Sequence, residues 1–297
     1  MKRKKLQEIL ISLENFYWDI RFAQQMICRD PMIKLLKSNE KYKNIYNNKT
    51  CFILGNGPSL KYEKHMDKLQ DYTVFSVNQF YRSNLFKVVK PKYHVMVDPL
   101  FFNLHENDPD EAETLLKMRE ISSDPNIHMI FPVDFYKYIK KHIGNEDKHI
   151  YIKERYRVGE TYNKGYDMSK FLPVACNVVL TAIYCAIFMG FKRIIILGCD
   201  MTGLLDNYIK RSLNSETEKF TQVYEYTEAE TRRMQRVHTM LSNERMLLGF
   251  TTMFHDFRIV NNQCIKMDIK LLNASQETAL DMIPFTTLDY ELTRNTN

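Results

Sequence analysis

After residue 50 the sequence alternates between two periods, and that alternation restricts the fold more than any other feature. Cys51–Leu54, Thr73–Val77, Tyr93–Val97, Ile127–Phe131 and Arg193–Leu197 are short apolar runs bounded by Gly, Pro, Asp or Asn. Between them stand helix-length stretches such as Asp110–Glu120 and Pro173–Gly190. Short runs with few polar positions read as strands covered on both faces, and strands alternating with helices require parallel crossovers. The expected fold is therefore α/β, a Rossmann-like, doubly wound and mostly parallel sheet. Such sheets bind ligands beyond the C-terminal ends of their strands, so those ends are where chemistry is to be sought.

The first 50 residues differ in character. Leu6, Ile9, Leu10, Leu13, Phe16, Tyr17 and Ile20 fall at helical spacing over four turns. Residues 1–37 are expected as a basic amphipathic helical segment and the Asn- and Lys-rich 38–50 as a linker. Residues 51–297 are expected as one Rossmann-like domain. With Lys2, Arg3, Lys4 and Lys5 ahead of it, the helix suits peripheral contact with an anionic membrane through residues 1–30. Docking on the main domain, or on a second subunit in a homo-oligomer, suits it equally.

Charge narrows the partners. The formal net charge is +6, yet residues 1–50 hold 11 Lys and Arg against 5 Asp and Glu, leaving 31 of each sign in residues 51–297. A main body without net charge lacks the basic stripe that nucleic acid requires, so no nucleic-acid partner is expected. The six cysteines show no C-x-x-C spacing and read as reduced core residues of a cytoplasmic protein. Val178–Met189, the longest apolar stretch, is 12 residues, short of a bilayer span. Localisation is expected to be cytoplasmic, with the inner face of the membrane as the peripheral option.

Glycine is scarce, 9 in 297 residues, and two of the nine stand in Gly55-Asn56-Gly57-Pro58-Ser59-Leu60 directly after the first strand. Glycines allow close backbone approach, Pro58 suits a first helical turn, and the amides of such a turn attract an anion. The hexapeptide reads as a phosphate-binding strand-turn-helix, with a tight turn lacking any ligand as the plainer reading; it is neither G-x-G-x-x-G nor a Walker sequence. The second strand ends in Asn78-Gln79, the third in Asp98, and the Arg193–Leu197 strand in Gly198-Cys199-Asp200. Polar residues thus cluster at the ends of strands on the ligand side of the sheet. Residues 203–227, polar and Tyr-rich, read as a lid or as a surface insertion.

The order GNGPSL, VNQFY, D-P-x-F-F and MGFKRIIILGCD resembles the bacterial sialyltransferases of glycosyltransferase family 42 and the related flagellin-modifying nonulosonate transferases. The resemblance covers roughly residues 50–285 and is most specific at GNGPSL and VNQF. It implies an inverting, metal-independent transferase that moves a sialic acid or related nonulosonic acid from a CMP-activated donor, with no further cofactor, to a surface glycan acceptor such as lipopolysaccharide or capsule. It also implies roles. Gly55, Asn56 and Gly57, with Pro58 and Ser59 after them, match the turn at the nucleotide phosphate, and Asn78 matches an amide that contacts the donor sugar. Asp98 stands where many relatives have Asn. Asn177 falls where the cytidine is held, or simply caps a helix. Counting from Asp200, Thr202 and Tyr208 take the places of two tyrosines that hold the departing phosphate, so Thr202 departs from the pattern. Counting back along a helix expected over Thr227–Phe257, from a strand expected at Arg258–Val260, puts His238 at the general base. His255 is the rival, and the last strand and cap, Asp268–Ser275, bring in Asn273.

Three other activities compete. Nonulosonate transfer to protein Ser or Thr suits the flagellin-modifying relatives. Pyrophosphoryl transfer to a pterin suits a more distant group with a similar Gly-Asn-Gly turn, but it calls for Mg²⁺ and more carboxylates than the motifs supply. A non-catalytic nucleotide-binding protein is the reading that Thr202 favours.

Overall fold

In the computed structural model, residues 2–144, 146–202, 222–238 and 242–294 are described. The strands are β1 (Thr50–Leu54), β2 (Thr73–Val77), β3 (Tyr93–Val95), β4 (His128–Pro132), β5 (Ile150–Tyr156), β6 (Phe171–Pro173), β7 (Arg193–Leu197) and β8 (Lys270–Asn273). They form one sheet in the order β6-β5-β4-β3-β2-β1-β7-β8, and every neighbouring pair is parallel. The chain winds outward from β1 to β6, then crosses back to lay β7 on the other side of β1. This is a doubly wound sheet whose direction reverses between β1 and β7, the place where such a sheet opens a crevice.

The helices are α1 (Lys2–Ile27), α2 (Pro31–Lys37), α3 (Leu85–Val89), α4 (Pro109–Ser123), α5 (Tyr136–His142), α6 (Val178–Phe188), α7 (Glu228–His238), α8 (Asn243–Lys266) and α9 (Leu288–Arg294). Side chains alternate across a strand, so β1 sends Cys51 and Ile53 to one core layer and Phe52 and Leu54 to the other. The first layer is closed by α6, which packs on β1, β2 and β3 with Ile183 and Tyr184 fully buried. The second is closed by Leu60, Leu69, Phe80 and the C-terminal Leu288 and Leu292. Burial on both faces is why these strands carry so few polar residues.

Several expectations change. Strand β5 carries no apolar run over its whole length, because Lys153, Glu154 and Arg155 stand in its C-terminal half, and β6 is only three residues long. Those charges are held by partners: Lys153 and Arg155 reach Asp134, and Glu154 accepts from Thr181 Oγ1 at 2.7 Å. The helix expected over Thr227–Phe257 is two helices, and Arg258–Val260 is not a strand but part of α8, which continues to Lys266. A three-residue apolar run fits either period; here Phe257, Val260, Asn261 and Cys264 are buried at 3,4 spacing, the mark of a helix face. The stretch 38–50 is packed rather than trailing: Asn39 is buried and donates to the Tyr151 and Met168 carbonyls, and Tyr46 stacks on Phe191 at 4.5 Å. Of the cysteines, Cys51, Cys185, Cys199 and Cys264 are core residues, whereas Cys28 and Cys176 are exposed. Among the described residues no helix is long and apolar enough to cross a membrane.

Candidate active site

The hexapeptide after β1 lies against the segment after β7. Gly55 N–H donates to the Leu197 carbonyl and Gly57 N–H to the Gly198 carbonyl, both at 2.8 Å. A Cβ on Gly55 would fall 2.3 Å from the Gly198 oxygen, and one on Gly57 would fall 2.4 Å from the Asp200 carboxyl carbon. Both glycines are therefore required by chain against chain. Pro58–Tyr62 forms a short 3-10 turn, and its first amide, that of Ser59, already has an anion: Ser59 N–H and Oγ donate to the two Asp200 oxygens at 2.8 and 2.6 Å. The expectation that free amides of this turn await a phosphate is corrected in that respect. The carboxylate that serves them belongs to the chain. Burial raises the Asp200 pKa, and the two Ser59 bonds act against that rise.

Beside this turn lies a cavity of about 260 Å³. Gly55, Asn56, Gly57 and Pro58 form one wall, and Gly198, Cys199, Asp200, Met201 and Thr202 another. Asn177 and the first residues of α6 form the third, and Gln222, Phe250 and Met253 close it from above. Sequence reasoning missed these last three; Gln222 belongs to the expected lid, and nothing in the local pattern of α8 marks Phe250 or Met253.

The polar atoms around it are unequally satisfied. Asn177 caps α6 by accepting from Val179 N–H at 2.8 Å, so the plain capping role and a place on the cavity wall coincide. Asn56 donates weakly to the Val77 carbonyl at 3.3 Å, while its Oδ1 is buried without a partner. Asn78, in the left-handed region at φ 45° directly after β2, also has a buried Oδ1 without a partner. A buried acceptor left unmade costs about 1–3 kcal/mol; of the two, Asn56 lines the cavity and Asn78 does not.

Other named residues lie apart from the cavity wall. Gln79 turns inward, donating to Glu230 Oε1 at 2.5 Å and accepting from the Tyr224 hydroxyl at 3.0 Å. Asp98 caps the turn Pro99–Phe101 by accepting from Leu100 N–H. Asn273, fully buried, accepts from Ser275 N–H and donates to Thr278. Tyr208 lies outside the described residues. His238 is the last residue of α7, and its side chain is likewise outside them. Because Arg258–Val260 is helical, the count that selected His238 has lost its anchor. His255, the rival, sits in the middle of α8, with Nδ1 3.2 Å from Asp256 Oδ1.

A buried cluster not foreseen from sequence ties α7 to the sheet edge. Glu230, fully buried, accepts from Gln79 and from Arg233 at 2.8 and 2.9 Å, with Arg82 at 3.8 Å. The i,i+3 spacing of Glu230 and Arg233 was visible, but it is also that of any solvated helix pair. Val223 N–H donates to the Asn56 carbonyl at 2.9 Å, so the chain returns to the cavity at the end of the expected lid, whose residues 203–221 lie outside the described ones.

The profile of the family described as MptE-like, 6-hydroxymethylpterin diphosphokinase MptE-like, matches residues 25–203, from α1 through the Gly55–Ser59 turn to Thr202. The chain belongs to this MptE-like family. No curated protein matches it. Among solved structures it is similar to the sialyltransferase CstII from Campylobacter jejuni in complex with the substrate analogue CMP-3FNeuAc, at 16% identity over 80% of this chain and 86% of that one, with a TM-score of 0.46. The complex of the same enzyme with cytidine-5'-monophosphate gives 16% identity over 80% and 85%, with a TM-score of 0.42. The family match covers β1–β7 and the cavity's polar walls, and it ends before α7 and α8.

Proposed function

We propose that this MptE-like protein is a glycosyltransferase that takes a nucleotide-activated sugar acid, with a CMP-activated nonulosonic acid as donor and a glycan hydroxyl as acceptor. The observation that carries the reading is the cavity at the β1–β7 switch point, formed by the Gly55–Pro58 turn, Asn177 and Thr202, where Asn56 keeps a carboxamide oxygen without a partner. Neutral acceptors match the hydroxyls of a ribose or a sugar and the amino group of a cytosine, and they add no negative charge against a donor that is already anionic. The acceptor oxygen attacks the anomeric carbon, CMP departs with the bonding pair, and the acceptor proton passes to a base. One such displacement inverts the anomeric centre. Thr202, which lines the cavity, is the proposed donor to the leaving phosphate and Tyr208 its proposed companion, and His238 is kept as the proposed base on the family resemblance alone.

Pyrophosphoryl transfer to a pterin, the activity named in the family's description, is the second reading. It requires carboxylate oxygens to hold the Mg²⁺ of a nucleoside triphosphate. Asp200 is the only carboxylate on the described cavity wall, and both its oxygens are bonded to Ser59. Among the described residues no three His, Cys, Asp or Glu side chains are grouped to hold a metal ion. The described residues do not fit that group.

The test is direct. CMP and CMP-sialic acid should bind by calorimetry, and Asn56→Ala or Asn78→Ala should weaken CMP-sialic acid by roughly 5- to 100-fold, the worth of a buried hydrogen bond. CMP release should follow when an acceptor glycan is added. Binding of ATP with Mg²⁺ and turnover of a hydroxymethylpterin, without affinity for CMP, would establish the second reading instead.

A further inference from the structure

We infer that α1 is a dimerisation helix that pairs, antiparallel, with α1 of a second copy of this chain. One face of the helix is already committed. Asn15 exchanges two hydrogen bonds with the Arg157 backbone, Glu8 accepts from the Glu160 and Thr161 amides, Asp19 accepts from the Tyr156 hydroxyl, and Phe22 is buried edge-on against Phe171. These contacts fix which side of α1 points outward.

The outward side is apolar along its length. Leu6, Ile9, Leu13, Phe16, Ile20 and Ile27 are each between 49% and 82% exposed. With Ala23 they follow each other at alternating steps of three and four, a period of 3.5. That is the spacing of a coiled-coil seam, narrower than the stripe of a helix packed on a globular core. Leu10 and Tyr17, also about half exposed, border it. Each such side chain offers on the order of 100 Å², so the row approaches the roughly 800 Å² per partner of a stable interface. A lone soluble chain rarely leaves a patch of that size uncovered.

Charge selects the orientation. Lys2, Arg3, Lys4 and Lys5 crowd the start of the helix, whereas its last turn carries no basic residue. Parallel pairing would bring eight positive charges together. Antiparallel pairing sets each basic cluster beside the other helix's C-terminal carbonyls, where the helix dipole favours cations. A two-fold axis at the helix midpoint places Leu13 opposite Phe16 and Ile9 opposite Ile20 of the second copy.

Sedimentation of the full-length protein at about 10–100 µM should give twice the mass of the chain, and Leu13→Asp with Phe16→Asp should give a monomer with unchanged circular dichroism. Orientation is read separately, whether or not that variant folds, in a Cys28→Ser, Cys176→Ser background. There Ile9→Cys mixed with Ile20→Cys should cross-link on oxidation, while Ile9→Cys alone should not. A wild-type chain that stays monomeric at 100 µM overturns the proposal. If that monomer also sediments with phosphatidylserine vesicles, the seam is a lipid-binding face. Self-cross-linking of Ile9→Cys overturns the antiparallel arrangement.

Discussion

Gly57 shows how a residue chosen for one reason is held for another. Its sequence context suggests room for a phosphate, but the atom a side chain would strike is the Asp200 carboxyl group, at 2.4 Å. Asp200 in turn is fixed by two bonds from Ser59, so an added Cβ has to displace the group that orders the turn. Gly57→Ala should therefore lower stability by about 1–3 kcal/mol in urea unfolding, as overpacking does, and weaken nucleotide binding as well. Gly55→Ala should be worse, because its Cβ meets a backbone carbonyl that cannot rotate away. A Gly57→Ala protein of unchanged stability that merely loses nucleotide would restore the simple clearance role.

At the scale of elements, α7 is joined to the end of β2 by side chains rather than by sequence proximity. Gln79 uses both ends of its amide, one on Glu230 and one on Tyr224, and Glu230 is wholly buried. Removing the amide leaves a buried carboxylate and a buried hydroxyl each short of a partner. Gln79→Ala should cost about 2–4 kcal/mol in thermal or chemical unfolding. Amide exchange should quicken first in α7, whereas β1 and β7 should keep their protection. Equal loss of protection across the sheet would mean that the network supports the whole fold and not α7 alone.

For the molecule as a whole, pH enters through Glu154, where β5 meets α6. Burial pushes its pKa up to about 7, against the bonds from Thr181 and the Ala175 amide and the nearby Arg155 that favour its charge. The folded value thus lies above that of the unfolded chain, so the folded state binds the extra proton between about pH 4.5 and 7. Glu154 contributes nothing below that window, and its burial reduces stability as pH rises through it, by up to about 3 kcal/mol. Glu154→Gln should flatten that part of the stability curve; a curve unchanged in slope would mean that the carboxyl is ionised throughout. Much of this molecule follows from local sequence. Apolar runs of four or five residues bounded by Gly, Asn and Asp specify buried parallel strands, and the 3,4 rhythm of Leu6–Ile20 specifies a helix, because burial and periodicity are properties of neighbouring residues. The position of the cavity follows too, since topology puts it at the strand ends. What tertiary structure alone decided is which polar groups are spent. Asp200 finds Ser59 and Gln79 finds Glu230, whereas Asn56 and Asn78 keep an oxygen without a partner. The partners of Asp200 and Gln79 stand 141 and 151 residues away. A hydrogen bond between residues so far apart depends on where the whole chain folds, which no local pattern of residue types records.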